Sequence, residues 1–380
     1  MTAPRTTATT AEADAPPPGR AGRILVVGTG LIGTSVGLAA RAGGYHVYLA
    51  DTDETRLAVA ESLGAGERRP AHLTEIDLAV AAVPPASVAT VVDGVIRSGL
   101  AATVTHVCSV QLQPQREVEA LHPAFAGFVG SHPIAGRERS GPHHASADLF
   151  RERPWVVCPT GHSAPQSVAA VAALARACGA VVSEMPGEAH DAVLARLSHS
   201  PQLIASALAG SVLGLGRDEL ALAGTGLRDT SRIADSDPAL WAEIVAANPA
   251  AVASALAAVT EPLVALQEAL RSGDRVAEHV LALIERGRAG RSLLAGKHGQ
   301  AAVRWATVSV VVPDEPGRLA RLLADAADGG VNVEDIRVDH SPGQPLGIVE
   351  LDVAPGMAER LREGLERRGW RASATEPLAD

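Results

Sequence analysis

The sequence predicts a doubly wound α/β domain, followed by an all-α domain and a small α+β domain. Three observations predict this. Apolar runs of strand length alternate with helical patterns over the first 160 or so residues. The middle of the chain is rich in Ala and Leu and poor in strand signals. The last 78 residues read strand-helix-strand-strand-helix-strand. A chain of 380 residues exceeds one compact core. It is 47% apolar but only 2% aromatic, so Ala, Val and Leu must fill the interior.

The elements follow in order. Residues 1–22, rich in Thr, Ala and Pro with Glu12 and Asp14, lack the apolar stretch of a signal peptide and read as a disordered tail. Within residues 23–162, "RILVVGTG" (23–30) is a continuous apolar run ending in glycine, as suits a buried parallel strand. "LIGTSVGLAARAGG" has helical spacing and stops on Gly43-Gly44. "YHVYLAD" (45–51), "IDLAVAAVPP" (76–85), "ATVTHVCSV" (102–110), "GFVGSHP" (127–133) and "PWVVCPT" (154–160) read as further strands. Residues 163–296 read as long Ala-rich helices suited to a close-packed homodimer interface. "GKHGQAA" (296–302) reads as a linker, and residues 303–380 as a ferredoxin-like unit.

Charge and composition exclude several classes. A formal net charge of −10 argues against nucleic acid or an anionic membrane as partner. Three widely spaced cysteines form no zinc spacing, so no metal is expected and a reducing cytoplasm is the simplest setting. No apolar run reaches the ~18 residues of a membrane span; residues 78–92 come closest and are broken by Pro84-Pro85.

The glycine turn carries the first chemistry. Gly28-Thr29-Gly30-Leu31-Ile32-Gly33 fits GxGxxG between a strand and a helix, and Asp51 ends the next strand. That context is the fingerprint of a dinucleotide-binding Rossmann domain. Gly28 permits the turn, Gly30 lets pyrophosphate approach, and Gly33 lets helix and strand close. Asp51 would accept hydrogen bonds from both ribose hydroxyls and repel a 2′-phosphate, which favours NAD over NADP. Arg56 nearby argues the other way, and Val83 and Pro84, ending the third long strand, complete the expected cofactor contacts.

Four further stretches need a common explanation: "VCSVQ" (107–111), "GSHPIAGRERSGP" (130–142), "RLSHSPQ" (196–202) and "GLRDTSRIADSDPALW" (226–241). Together with "GTGLIGTS" they occur in the order and form that resemble the prephenate dehydrogenase (TyrA) family, over about residues 23–290. "PDEPGRLARLLADAADGGVNVEDI" (313–336) resembles the ACT domain common at the C-terminus of that family. The resemblance implies NAD-dependent oxidative decarboxylation of a prephenate-type ring. A hydride leaves ring carbon 4, the ring carboxylate departs as CO2, and the ring becomes aromatic. It implies that His132 hydrogen-bonds the C4 hydroxyl as acid/base, that Ser109 supports His132, and that Arg232 binds a substrate carboxylate. Ser198, His199, Gln202, Gln111 and Glu138 fall on the remaining pocket positions. It also implies Gly317 and Asn332 as contacts for an amino-acid effector. Each residue has a plain structural alternative: His132 as a satisfied loop histidine, Ser109 or Arg232 as a cap or ion-pairing group, His199 bonded to backbone, Glu138 as ordinary surface.

The chain departs from the family at the pocket. The family's SVK is Ser109-Val110-Gln111, the aspartate three residues before that serine is His106, and the second histidine of SHLPH is Gln202. A neighbouring cation would repel an ammonium. Loss of a lysine and a histidine therefore makes 4-amino-4-deoxyprephenate a contender beside prephenate. Arogenate, or a catalytically lapsed amino-acid sensor, are the other readings. A β-hydroxyacid dehydrogenase would need a helical lysine, and the sole lysine is Lys297 in the linker.

Overall fold

The computed structural model describes residues 22–136, 141–294, 305–340 and 345–376. The chain divides into two compact units, one of residues 1–208 with 232–257, the other of residues 209–231 with 258–380.

The first unit is built on an eight-stranded sheet of order β3-β2-β1-β4-β5-β6-β7-β8. The strands are β1 Arg23–Val27, β2 His46–Ala50, β3 Glu67–Arg68, β4 Ile76–Ala81, β5 Ala101–His106, β6 Phe128–Pro133, β7 Pro154–Pro159 and β8 Val181–Glu184. From β3 to β6 all neighbours are parallel; β7 runs antiparallel to β6, and β8 is parallel to β7. Ile24, Leu25 and Val26 of β1 are all fully buried, which is why that strand reads as an unbroken apolar run.

Helices cover both faces. α1 (Leu31–Ala42), α2 (Glu54–Ser62) and α5 (Pro165–Ala177) pack on one face through Val36, Leu57, Val171 and Leu174. α3 (Pro85–Arg97) and α4 (Leu112–Leu121) pack on the other through Val88, Val92 and Val118. Ile244 of α10 (Pro238–Ala247) joins this second cluster. Local chemistry sets several starts: Asp53 caps α2, Asp237 caps α10 with Pro238 at its first position, and α3 opens on Pro85.

The sequence reading assigned residues 163–184 to the helical segment. In the structure α5 packs on the sheet and β8 bonds to β7, so the first domain extends to about residue 184. Beyond it come α6 (Gly187–Leu194), a π-helical turn (Ala195–His199), and α7 (Ser200–Gly210). α11 (Pro249–Ser272) begins in this unit, and Val252 and Ala255 pack against Ala195.

The second unit contains the short helices α8 (Arg217–Leu220) and α9 (Thr225–Ser231), the rest of α11, and α12 (Val276–Ser292). α11 corrects one sequence expectation. At 24 residues and a mean hydropathy of 1.6 over its best window, it is long and apolar enough to cross a membrane by length and composition. Thr260, Glu261 and Pro262 break its apolar run, so the helix does not stand out as one continuous stretch in the sequence. Leu263, Val264 and Leu270 on α11, and Leu281 and Ile284 on α12, are exposed in the single chain.

The C-terminal part of this unit is a four-stranded antiparallel sheet of order β10-β11-β9-β12. Its strands are β9 Ala306–Pro313, β10 Val333–His340, β11 Leu346–Val353 and β12 Arg371–Thr375. Alternate residues of β9 are buried with Leu322 of α13 (Arg318–Asp328) and Leu361 and Leu365 of α14 (Ala358–Arg367). This is the split βαβ connectivity expected from the strand-helix order.

Candidate functional site

Sheet topology gathers the predicted residues of the first unit. The turn after β1, Asp51 after β2, Val83-Pro84 after β4, Ser109 after β5 and His132 in β6 all lie toward the carboxyl ends of adjacent parallel strands. Open α/β sheets bind ligands at that edge.

The glycine turn fits a dinucleotide. Gly28 has φ +97°, which a side chain would strain. A methyl group at Gly33 would lie 1.9 Å from the Gly28 carbonyl oxygen, whereas nothing stands within 4 Å of one at Gly30. The backbone is therefore closed where helix meets strand and open where pyrophosphate must approach. α1 starts at Leu31 with no side-chain cap and no acidic residue in its first turn, so its leading N–H groups remain for an anion.

Asp51 is partly committed. Its Oδ2 accepts from the Thr29 N–H at 2.6 Å and the Thr29 hydroxyl at 2.7 Å, and its Oδ1 accepts from the Asp53 N–H at 2.9 Å. One lone pair on Oδ1 is left for a ribose hydroxyl, rather than the full pair of oxygens expected from sequence. Partial burial acts to raise the Asp51 pKa, but these hydrogen bonds and the Arg56 charge outweigh it, and the carboxyl sits below its usual range. An ionised Asp51 disfavours a 2′-phosphate. Arg56 itself is exposed and paired with Asp53 at 3.2 Å. Val83 is half-buried and Pro84 exposed at the start of α3.

His132 is half-buried on β6, where its backbone pairs with Val156 of β7. Its Nδ1 lies 2.9 Å from His190 Nε2. His190 Nδ1 in turn lies 2.8 Å from Asp191 Oδ1. The Asp191 carboxylate accepts the Gln111 N–H on Oδ1 and the Leu112 N–H on Oδ2, each at 2.9 Å. Those are the first amides of α4, whose own N-cap, Gln111, supplies no side-chain cap. Asp191 thus caps a helix 80 residues away in sequence, where a negative charge is favoured. Gly187 permits this docking: a methyl there would meet Gln115 Oε1 at 2.3 Å. Asn248 closes the cluster, donating to the Asp191 carbonyl at 2.9 Å and lying 3.5 Å from His199 Nδ1.

The imidazoles of His106, His132 and His199 are held neutral. Burial, then the nearby His190, His106 and His199, push the His132 pKa well below the ordinary histidine value. Burial, with His190, takes His106 down to about 3 against an opposing pull from Asp191. Burial also lowers His199, with Asp191 opposing and His190 assisting. His106 Nδ1 lies 3.0 Å from Cys108 Sγ, while His106 Nε2 and His199 Nε2 are buried without a hydrogen-bond partner among the described residues.

The other predicted residues fall as follows. Ser109 is half-buried and makes no hydrogen bond to a described residue, while His132 Nδ1 lies against His190. Gln111 is fully buried, its amide donating to the Cys108 and Ser131 carbonyls at 2.9 and 3.2 Å, which turns it toward backbone. Gln202 is buried and shares weak 3.4 Å contacts with Ser206 and Ser236. Ser198 is half-buried in the π-helical turn that ends at His199, an irregularity frequent at functional sites. Arg232 is exposed on a short 3-10 turn (Arg232–Ala234) of the same unit. Glu138 lies outside the described residues.

In the second unit, Gly317 starts α13 at φ +84°, and the Asn332 amide donates to Glu334. Sequence reasoning missed His190, Asp191 and Asn248. The available signal was an adjacent His-Asp pair in an otherwise apolar helical stretch, since buried polar groups need partners.

Comparison with known proteins places these features in company. Residues 36–184 match the family model described as prephenate dehydrogenase, nucleotide-binding domain, and residues 186–284 match prephenate dehydrogenase, dimerization domain. A Streptomyces niveus protein described as probable prephenate dehydrogenase NovF is 36% identical over 359 residues, covering 92% of this chain and 99% of that protein. A cyclohexadienyl dehydrogenase of Zymomonas mobilis is 29% identical over 273 residues, 67% of this chain and 92% of that one. Among solved structures, prephenate dehydrogenase from Aquifex aeolicus in complex with hydroxyphenyl propionate and NAD+ is similar with a TM-score of 0.62 and 25% identity. That likeness covers 72% of this chain and 99% of the other.

Proposed function

Given that the chain belongs to the prephenate dehydrogenase family and is an NAD-dependent oxidoreductase of prephenate-type rings, we propose that its substrate is prephenate. The observation that carries this reading is the state of His132: a neutral imidazole, its Nδ1 committed to His190, with Nε2 left to meet a substrate hydroxyl.

The residues that would hold NAD are the turn from Gly28 to Gly33, Asp51, Val83 and Pro84; bound NAD supplies a hydride acceptor. His132 accepts the C4 hydroxyl proton at Nε2 as the hydride leaves C4 and a C4 carbonyl forms. The bond from the ring to its carboxylate then breaks, its electron pair enters the ring, and CO2 leaves. The resulting phenolate takes the proton back from His132, so no net proton is consumed. Positioned acid/base groups of this kind contribute on the order of 10²–10⁴-fold. Arg232 is the proposed anchor for a substrate carboxylate, and His199, whose buried Nε2 has no partner among the described residues, the second polar contact. Ser109, Ser198, Gln111, Gln202 and Glu138 remain proposed pocket residues, with Gln111 acting through the backbone it holds.

A second reading is favoured by one observation. His106, His132 and His199 are all held neutral, and Gln111 and Gln202 carry no charge. An ammonium at C4 meets no cation among these groups, so 4-amino-4-deoxyprephenate is the competing substrate. NADH production from prephenate, arogenate and 4-amino-4-deoxyprephenate, measured side by side, decides between them. A preference of more than about tenfold, or 1.4 kcal/mol, for the amine overturns the prephenate reading.

The exposed apolar residues of α11 and α12 fall within the segment matched by the dimerization-domain model. We read them as the face covered by a second copy of the chain in a cytoplasmic homodimer. We read the C-terminal four-stranded unit as an ACT domain, supported by its strand order and by Gly317 at the start of α13. Calorimetry with aromatic amino acids tests whether Gly317 and Asn332 hold an effector.

A further inference from the structure

We propose that His190 is a positioning residue that, anchored by Asp191, fixes His132 in the tautomer that presents a bare Nε2 to the substrate. The inference rests on the role given to His132 above and assigns how that role is prepared.

Hydrogen-bond direction along the chain of contacts leads to one tautomer. Both oxygens of Asp191 already accept backbone N–H groups of α4, so toward His190 the carboxylate acts as an acceptor. His190 Nδ1 therefore carries the proton in the 2.8 Å contact. With its one proton on Nδ1, the His190 ring has a lone pair on Nε2, and the 2.9 Å contact to His132 must use a proton on His132 Nδ1. His132 is left with its lone pair on Nε2. The second nitrogen of a histidine is set by the hydrogen bond that the first one makes. The order matters because histidine with the proton on Nε2 could donate to a C4 hydroxyl but could not take its proton.

The anchor is rigid by construction. His190 is fully buried and Asp191 nearly so, and the Asp191 carbonyl is held by Asn248. The His132 and His190 rings meet edge to face, with centroids 5.1 Å apart at 66°, so His190 cannot turn its other edge to His132 without losing Asp191. A purely space-filling His190 would need neither Asp191 nor the helix start that holds it.

Two measurements test this. The first needs no substrate: nitrogen-15 NMR of histidine-labelled protein at pH 7, with the His132 signals assigned from H132N. The expected spectrum has the proton of His132 on Nδ1; a proton on Nε2 overturns the proposal. The second is kinetic. His190→Leu should lower kcat on the order of 10²-fold with both KM values within about threefold of wild type. His190→Gln, whose side-chain carbonyl can accept the Nδ1 proton, should recover most of that loss. A Leu variant that binds NAD and keeps its kcat, or a Gln variant no better than Leu, overturns the proposal. If H132N itself stays active, the reading of His132 fails first, and that outcome is distinct from an inactive H132N beside an indifferent His190→Leu. Should His190→Leu fail to fold, the NMR result on the wild-type chain still decides.

Discussion

Replacing His106 by Asn should remove much of the protein's acid sensitivity. His106 is fully buried at the end of β5, with Nε2 unpartnered among the described residues and its ring 5.9 Å from that of Phe128. Burial moves its pKa from 6.5 to about 3. The sign follows from proton counting. Below pH 6.5 the unfolded chain takes up a proton that the folded chain refuses until about pH 3. Unfolding therefore gains protons, and stability is lost as pH falls through that window. The contribution is complete above pH 6.5 and declines by about 1.4 kcal/mol per pH unit below it. Between pH 7 and pH 5 the loss from this one residue comes to about 2 kcal/mol. Asn places a polar atom near the position of Nδ1, within reach of the Cys108 thiol, but does not titrate. Urea unfolding at the two pH values provides the assay, followed by fluorescence with Trp305 and Trp370 changed to Phe, so that the signal comes from Trp155 and Trp241 in the first unit. His106→Asn should show a pH-dependent loss smaller than its parent by about 2 kcal/mol. Equal losses in both, within about 0.5 kcal/mol, would refute the claim that His106 is held neutral.

Two further perturbations probe the cofactor and the chemistry. Gly33→Ala places a methyl 1.9 Å from the Gly28 carbonyl oxygen, so the turn must open; NAD affinity measured by calorimetry should fall more than about tenfold, while far-ultraviolet dichroism is unchanged. His132→Asn should lower turnover on the order of 10²–10⁴-fold and leave NAD binding intact, since it removes the acid/base group but no part of the glycine turn; near-normal turnover of the purified variant would take His132 out of the mechanism.

How much of this was legible depends on how local each feature is. The glycine turn and β1 declare themselves because a buried parallel strand must be apolar on both faces and Gly28 and Gly33 have steric jobs within one turn. β8 did not, because an exposed four-residue edge strand, Val-Val-Ser-Glu, has no buried face to impose a pattern. β3 is two exposed residues and carries less signal still. His132, too, was legible from its motif, but its partner was not. His190 lies 58 positions away, and Asp191 matters through amides 79 and 80 positions away. No spacing rule reaches across a sheet, so only the fold could assign Asp191 as the cap of α4.

Two positions at which the chain departs from the family resemblance meet at one residue in the fold. By the resemblance, His106 stands at a position of an aspartate and Gln111 at a position of a lysine. In the fold both touch Ser131: its hydroxyl donates to the His106 carbonyl at 2.9 Å, and its carbonyl accepts from the Gln111 amide at 3.2 Å. Both side chains are fully buried. A lysine at 111 would place a cation at the start of α4, where the helix dipole opposes it. Asp191 already supplies the carboxylate at that start, accepting the Gln111 and Leu112 N–H groups. The consequence reaches His132, two positions beyond Gly130 on β6. With neither charge present, its surroundings are three other imidazoles and one carboxylate already occupied by a helix. The proton state of the reacting group is then set by burial and by His190, rather than by an ion pair beside it.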